Sequence, residues 1–291
     1  MKDEIERMER FILDFVETLG YKGVVMGVSG GLDSAVVAGL LSRVMRERVL
    51  GLIMPERDSN PESEKHARLV CETFKIHCEK IDITPILSKM GIYKLQPPAP
   101  LVSYSVKMRY ALRKWKELGD DVFLKDLTGD MPDDYRKGVA YYRAKHRVRM
   151  CVLYKEAEVR GYAVAGTTNK TEFLTGFYVK YGDDSVDFEP IGHLYKTQVR
   201  EIAKELGVPK TILEKPPSPD LIPGVTDEFA LGMSYEDIDR ILMKMEKGES
   251  LDGEDPNIVE RVERILKVAK LREIKSITIQ DWENFKKYNI Q

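Results

Sequence analysis

Residues 23–34 read Gly-Val-Val-Met-Gly-Val-Ser-Gly-Gly-Leu-Asp-Ser, and this stretch decides the fold. Residues 23–28 are mostly apolar and have the length of a buried strand. Residues 35–45 follow as a helix that is apolar on most faces. Between strand and helix, glycines let the backbone approach an anion closely, and the free N–H groups and dipole at the helix start favour negative charge. The stretch therefore predicts a site for phosphate or pyrophosphate.

The loop at residues 29–34 departs from both common phosphate motifs. It lacks the lysine of the P-loop and the Gly-x-Gly-x-x-Gly spacing of the dinucleotide fingerprint. Asp33 is its unusual member, because a carboxylate beside a phosphate is repulsive unless a cation lies between them. Mg²⁺ bridging carboxylate and phosphate oxygens removes that repulsion. The alternative is that Asp33 only caps the helix.

Composition narrows the class of protein. The chain has 291 residues, with 46 Lys and Arg against 48 Asp and Glu, so it lacks the basic excess of a nucleic-acid binder. No apolar run reaches the length of about 18 residues that a membrane span needs, and the acidic N-terminus is not a signal peptide. Cys71, Cys78 and Cys151 form no Cys-x-x-Cys pair. We expect them to be reduced thiols, packed as small hydrophobes in a cytoplasmic protein.

Apolar runs alternate with amphipathic segments along the chain. Strands are predicted at residues 23–28, 49–54, 75–83 and 161–166, and helices at 5–19, 63–74 and 144–159. This alternation is typical of an α/β fold with a doubly wound parallel sheet flanked by helices. Ligands bind at the carboxyl ends of the strands in such sheets, where the phosphate loop and the turn after Gly166 both lie.

Residues 93–135 interrupt this pattern within what we expect to be a single domain over 1–291. A proline-rich element at 96–100 precedes a basic helix at about 106–118. This excursion is either a solvated surface segment, or a cap over the substrate or part of a subunit contact. Two further helices are expected in the last third, one with its apolar face at 199–206 and one starting with the capping pattern at Ser234.

Several motifs together resemble one family. Residues 166–172 read Gly-Thr-Thr-Asn-Lys-Thr-Glu, residues 180–183 read Lys-Tyr-Gly-Asp, and Leu-Tyr-Lys and Lys-Pro-Pro-Ser follow at 194–196 and 215–218. With the phosphate loop, they resemble the ammonia-dependent NAD synthetases of the N-type ATP pyrophosphatase superfamily, over residues 5–90 and 140–245. The resemblance implies an adenine nucleotide alpha-hydrolase-like fold and a homodimer.

The resemblance also implies a two-step reaction. The carboxylate of nicotinic acid adenine dinucleotide attacks the α-phosphorus of ATP, with Mg²⁺ present, and gives an acyl-adenylate and pyrophosphate. Ammonia then displaces AMP and leaves the amide, NAD. Adenylation is needed because a carboxylate has no good leaving group for attack by ammonia. Catalysis is then mainly positioning and electrostatic stabilisation of the phosphate charge.

The family roles carry over to this chain residue by residue. Asp33, Glu172 and Lys196 are the expected catalytic residues; Asp33 and Glu172 would hold Mg²⁺, and Lys196 would contact a phosphate. The residues expected to bind ATP are Gly27, Ser29, Gly30, Gly31, Asp33, Ser34, Thr167, Lys196 and Ser218. Those expected to bind the dinucleotide are Arg147, Lys180 and Asp187. Each of three residues also has a simpler interpretation. Glu172 would be a first-turn carboxylate that interacts favourably with the helix dipole. Lys196 and Arg147 would be solvated surface cations.

Other functions stay open at this point. The excursion at 93–135, the Tyr141-Tyr142-Arg143 run and residues 271–276 depart from the family pattern, and they lie on the side of the acceptor substrate. A paralogous amide ligase with the same ATP half and another carboxylate is therefore the main alternative. A tRNA-thiolating enzyme is a third alternative and is disfavoured, because such enzymes generally need paired reactive cysteines and a basic surface, whereas Cys71 and Cys78 have poor spacing and the charge balance is wrong. A nucleotide sensor without catalysis would not need both Asp33 and Glu172.

Overall fold

The computed structural model describes residues 1–95, 103–119, 121–218, 224–274, 276–279 and 281. Its sheet has the strand order β3-β2-β1-β4, and every neighbouring pair is parallel. The strands are Val24–Gly27 (β1), Val49–Ile53 (β2), His77–Lys80 (β3) and Ala163–Ala165 (β4). The predicted doubly wound α/β fold is confirmed.

The helices of the described residues flank this sheet. They are Lys2–Thr18 (α1), Leu32–Met45 (α2), Pro61–Phe74 (α3), Thr84–Lys89 (α4), Tyr104–Glu117 (α5), Val122–Thr128 (α6), Asp133–Arg160 (α7), Lys170–Thr175 (α8), Lys196–Glu205 (α9), Lys210–Leu213 (α10), Asp227–Leu231 (α11), Tyr235–Lys247 (α12) and Pro256–Glu273 (α13).

Alternating side chains of β1 supply the two faces of the sheet. Val24 and Met26 pack with α1, α2, α3 and α9 in one apolar cluster, whereas Val25 packs with α4 and α7 in another. A third cluster joins α6, α12 and α13. The chain leaves β1 toward β2 and β3 and later returns to its other side as β4. The crevice between β1 and β4 is therefore the topological switch point, where open α/β sheets bind ligands.

The helix predicted at 144–159 is longer than expected, because α7 spans Asp133–Arg160. Its first half has no apolar stripe to indicate a helix; Tyr142 and Arg143 instead bond the carboxylate of Asp126 on α6. The third predicted strand, at 75–83, is shorter in the structure. Lys75 takes a left-handed conformation that ends α3, and β3 starts only at His77.

The expectation of reduced thiols at Cys71 and Cys78 is wrong. These residues form a disulfide, with their Cα atoms 6.3 Å apart. The left-handed residue Lys75 reverses the chain, so the last turn of α3 lies over β3 and the two cysteines meet. Cys151 is free, but it is exposed instead of packed as a small hydrophobe. The spacing of Cys71 and Cys78 gave no sign of the pairing, because it depends on this reversal.

The proline-rich part of the excursion, 96–100, lies outside the described residues. The rest of the excursion includes the 3₁₀ turn Ile92–Leu95, α5 and α6. Within the described part of the chain, no helix has both the length and the apolar character needed to cross a membrane.

Candidate active site

The loop after β1 forms a tight turn against α3. Gly30 has a φ of +76°, and a Cβ atom there would lie 2.5 Å from the carbonyl oxygen of Ser63, so this position requires glycine. The Gly31 N–H donates to Ser29 Oγ at 3.2 Å, and Ser34 Oγ donates to the Gly31 carbonyl at 3.0 Å. These bonds hold the loop in a conformation that places the start of α2 at the carboxyl end of β1.

The turn after β4 brings a second carboxylate, that of Glu172, to the start of α2. Asn169 caps α8: its side chain accepts from the Glu172 N–H at 3.0 Å, and Glu172 Oε2 accepts from the Asn169 N–H at 3.2 Å. The Asn169 side chain also donates to Asp33 Oδ1 at 3.0 Å. Glu172 Oε2 thus takes part in the capping box of α8, while Oε1 remains for the site.

Lys196 lies between these two carboxylates. Its Nζ is 2.5 Å from Asp33 Oδ2 and 3.4 Å from Glu172 Oε1, and its side chain is only 3% exposed. Lys196 is therefore not a solvated surface lysine. Asp227, at the start of α11, also acts on this ammonium electrostatically. We call Asp33, Glu172, Lys196 and Asp227 the acidic cluster.

Burial and mutual repulsion make the acidic cluster electrostatically unfavourable. Burial raises the pKa of Glu172 to about 8; the charge of Lys196 opposes this rise, and the Asp33 carboxylate adds to it. Burial also raises the pKa of Asp227 to about 6. For Lys196, burial alone would lower the pKa, but the carboxylates of Asp33, Glu172 and Asp227 hold it above its ordinary value. A cluster with this excess of carboxylates suits an added cation.

The backbone at the start of α9 is fixed from α12. Asp239 accepts from the Thr171 hydroxyl at 2.5 Å and from the Thr197 N–H at 2.7 Å, and Thr171 Oγ1 accepts from the Lys196 N–H at 3.0 Å. Sequence reasoning missed Asp239. The signal was present, because this carboxylate shares a helix face with the apolar residues Tyr235 and Leu242.

A cavity of about 410 Å³ opens at the carboxyl ends of β1, β2 and β4. Gly27, Ser29 and Thr167, all expected to bind ATP, line it. Arg149, two residues after Arg147 on α7, also lines it and donates to the Met54 carbonyl at 3.2 Å. The pair Arg147 and Arg149 was the available signal, but choosing between them requires knowing how α7 faces the sheet.

A second polar group borders the cavity through Glu56. Lys145 Nζ lies 2.7 Å from Glu56 Oε1, and Glu56 Oε2 accepts from the Tyr93 hydroxyl at 2.7 Å. Next to it, Asp58 pairs with Lys107 of α5 at 2.5 Å. We call Glu56, Asp58, Tyr93, Lys107 and Lys145 the Glu56 network. It ties the excursion to the loop after β2.

The residues expected to bind the dinucleotide do not line this cavity. Exposed Arg147 donates to the Lys180 carbonyl at 3.0 Å, and the Lys180 side chain bonds the Ile274 carbonyl. Asp187 lies along β4, where its carboxylate accepts from the Val164 N–H at 2.7 Å and from the Tyr154 hydroxyl at 3.1 Å. Arg147 and Lys180 are thus brought together, while Asp187 fixes the sheet edge.

Ser218, also expected to bind ATP, lies on the segment that leads into α11. Its hydroxyl donates to the Val225 carbonyl at 3.0 Å, and the neighbouring Pro217 carbonyl accepts from the Asp227 N–H at 3.0 Å. These bonds connect the Ser218 segment to the acidic cluster. Residues 219–223 between them lie outside the described part.

The donor set of the cluster suits Mg²⁺. Asp33 Oδ2 and Glu172 Oε1 already face one cation, the ammonium of Lys196. Mg²⁺ takes one or two protein carboxylates and completes its shell with substrate phosphates and water. In the described residues no group of three or more acidic, histidine or cysteine side chains is placed to hold a metal. The metal would therefore depend on phosphate oxygens held by the Ser29 loop.

Comparison with known sequences gives a consistent result. A sequence model described as NAD synthase matches residues 4–110 and 123–277, so that the gap falls within the excursion. A protein of Thermotoga neapolitana described as NH(3)-dependent NAD(+) synthetase is 56% identical over 91% of this chain and 92% of its own length. A protein of Thermotoga maritima with the same description is also 56% identical, over 91% of this chain and 95% of its own length.

Solved structures with the same fold carry related descriptions. The NMN synthetase of Francisella tularensis superimposes with a TM-score of 0.73 at 26% identity, over 95% of this chain and 97% of its own. The NH3-dependent NAD synthetase of Campylobacter jejuni superimposes with a TM-score of 0.69 at 25% identity, over 96% and 98%.

Proposed function

This chain belongs to the NAD synthase family, and from that membership we propose that it amidates nicotinic acid adenine dinucleotide to NAD, using ammonia and ATP. Supporting this function, the family match extends over most of the chain, and the two relatives named above are described as ammonia-dependent NAD synthetases. The observation that carries the mechanism is the convergence of Asp33, Glu172 and Lys196 beside the Ser29 loop, at the crevice between β1 and β4.

The residues of the Ser29 loop and of the acidic cluster have separate roles in the first step. Backbone N–H groups from Ser29 to Ser34 hold the phosphates of ATP, because they lie at the start of α2. Asp33 and Glu172 would hold Mg²⁺, which when bound neutralises charge on the phosphate oxygens. Lys196, buried and cationic, stabilises the charge that develops as the substrate carboxylate attacks the α-phosphorus and pyrophosphate leaves.

The second step consumes the acyl-adenylate. Ammonia attacks the acyl carbon, the bond to the phosphate oxygen breaks, and AMP leaves with that oxygen. The carboxylate oxygen that attacked phosphorus therefore ends in AMP. Water must be excluded from this site, since it would hydrolyse the intermediate. We assign substrate binding to Arg147, Lys180 and Asp187 and ATP contacts to Thr167 and Ser218, as the family resemblance implies. Arg149 is added because it lines the cavity.

An isotope experiment tests the reaction. The purified protein is given ATP, Mg²⁺, ammonium chloride and nicotinic acid adenine dinucleotide labelled with ¹⁸O in its carboxylate. We expect NAD, AMP and pyrophosphate in equal amounts, with one ¹⁸O atom in AMP. Release of ADP, with the label in inorganic phosphate, would overturn the mechanism. Asp33→Ala should abolish the reaction, whereas Asp14→Ala, at an exposed position of α1, should leave it unchanged.

One observation favours a second acceptor. The structure described as an NMN synthetase superimposes as well as the NAD synthetase does. Nicotinic acid mononucleotide is therefore the competing substrate to include in the assay. We propose that the dinucleotide has the higher kcat/KM; a preference for the mononucleotide would assign this chain to the alternative ligase.

Two further proposals concern assembly and location. We propose a homodimer because the family resemblance implies one, and light scattering of the purified protein would test it. We also propose a cytoplasmic location, and fractionation of the source cells would test it.

A further inference from the structure

Asp227 is a buried carboxylate that the mechanism above does not use. Its residue is 4% exposed. Oδ2 accepts from the Tyr235 hydroxyl at 2.9 Å, but Oδ1 is buried with no hydrogen-bond partner among the residues that the structure describes. Leaving a charged oxygen buried without a partner is destabilising, so such a group needs an explanation.

Lys196 is the cation whose charge acts on the Asp227 carboxylate. The ammonium of Lys196 lies 5.2 Å from the centre of the Tyr235 ring, whose hydroxyl bonds Asp227. The carboxylate of Asp227 attracts that ammonium, yet the two are not within ion-pair distance in this structure. Lys196 instead contacts Asp33 and Glu172.

The position of Lys196 conflicts with the proposed metal site. Its Nζ approaches the same two oxygens, Asp33 Oδ2 and Glu172 Oε1, that Mg²⁺ would use. Mg²⁺ binds oxygen at about 2.0–2.1 Å, so the ammonium and the metal cannot share that point. When the metal enters, the ammonium must move, and a buried ammonium needs another carboxylate to face.

We propose that Asp227 Oδ1 receives the ammonium of Lys196 when metal and nucleotide occupy Asp33 and Glu172, so that Asp227 is a positioning residue for Lys196. Tyr235 fixes the Asp227 carboxylate through its other oxygen. The Asp227 N–H bond to Pro217 also ties this carboxylate to the segment of Ser218. The proposal rests on the proposed function, because that function supplies the metal and the nucleotide.

A double-mutant cycle on binding tests this proposal. Binding of α,β-methylene-ATP with Mg²⁺ is measured by calorimetry for the wild type, Asp227→Asn, Lys196→Met and the double variant. We expect Asp227→Asn to weaken binding about tenfold in the presence of Lys196, within the usual range of coupling between neighbouring charged groups. In the Lys196→Met background, the same substitution should have no effect. Equal weakening in both backgrounds, or no weakening in either, would overturn the proposal.

Two further variants keep the result interpretable. Glu228→Gln removes one charge from the residue next to Asp227 and should leave binding unchanged, which controls for overall charge. Tyr235→Phe removes only the hydroxyl that fixes Asp227 and should weaken binding by a smaller factor, again only when Lys196 is present. Circular dichroism on each variant verifies folding. If the isotope experiment yields NAD while the cycle shows no coupling, only this proposal fails; if it yields ADP, the proposed function fails.

Discussion

The Glu56 network and the acidic cluster differ in how completely their charges are partnered. In the Glu56 network, both carboxylate oxygens of Glu56 are bonded, to Lys145 and Tyr93, and Asp58 pairs with Lys107. In the acidic cluster, one lysine is shared between two carboxylates, and Asp227 has one oxygen without a hydrogen-bond partner among the described residues. The first group is complete without a ligand, whereas the second is not.

The carboxyl pKa values express the same difference. Burial raises the pKa of Glu172 to about 8 and that of Asp227 to about 6. Burial also acts to raise the pKa of Asp58, but hydrogen bonds from Arg57 and Lys107 outweigh it, so that this pKa is below its ordinary value. A fold tolerates an unfavourable cluster where a ligand completes it. We infer that the Glu56 network is structural and that the acidic cluster is reserved for ligands.

The largest effect is expected from Lys145→Met, which should reduce the stability of the fold. This change leaves the buried Glu56 carboxylate without its cation, which is expected to lower the free energy of unfolding by about 3–5 kcal/mol. Urea denaturation measures it. The double variant Lys145→Met with Glu56→Leu should recover most of the loss, because no unpaired charge remains. If Lys145→Met alone is as stable as the wild type, the proposed difference between the Glu56 network and the acidic cluster is wrong.

The next effect is on activity, from Lys196→Met. The rate of AMP formation at saturating ATP should fall about 100–1000-fold, the usual result of removing one group that stabilises transition-state charge. Lys170→Met is the matched control, because Lys170 lies on α8 and pairs with the exposed Glu246. It should keep the wild-type rate. An equal loss of rate in both variants would mean that Lys196 has no specific role in catalysis.

A smaller effect depends on pH and comes from Asp58→Asn. Because the folded pKa of Asp58 is below its ordinary value of 3.8, its charge stabilises the fold above that value, and this contribution is lost as pH falls through the folded pKa. We expect the variant to be about 1–2 kcal/mol less stable between pH 5 and 7. Denaturation curves at lower pH should converge with those of the wild type. A difference that grows toward low pH would contradict the assignment.

The smallest effect is expected from Tyr93→Phe. It removes one hydrogen bond to Glu56 Oε2, an oxygen that also accepts from the Asp58 N–H at 3.0 Å. The loss of stability should be about 0.5–1.5 kcal/mol, with NAD formation unchanged. Urea denaturation and the product assay measure the two quantities. A large loss of activity with normal stability would assign the Glu56 network to the catalytic site.

Local patterns were enough to predict the centre of the fold and part of the site. The apolar strand, glycine turn and helix at 23–45 are contiguous, so β1, the loop and α2 follow from neighbouring residues alone. Asp33, Glu172 and Lys196 came from motifs, and the parallel sheet explains why they converge: Asp33 and Glu172 follow β1 and β4, which are adjacent. Their catalytic roles stay predictions.

Features that depend on packing between distant segments were not predicted. Asp227 and Asp239 act on Lys196 only because α11 and α12 fold back onto the start of α9. The disulfide between Cys71 and Cys78 depends on a left-handed residue that no local pattern marked. Lys145 belongs to a basic stretch of α7, and its burial against Glu56 depends on a loop 89 positions earlier in the chain.

Metal binding tests the central contrast most directly. Bound Mn²⁺, used in place of Mg²⁺, is counted by electron paramagnetic resonance in the presence of α,β-methylene-ATP. The wild type and Asp58→Asn should both bind Mn²⁺ with the nucleotide, whereas Asp33→Asn should lose it. Retention of Mn²⁺ by Asp33→Asn, or its loss from Asp58→Asn, would contradict the assignment of the acidic cluster as the ligand site.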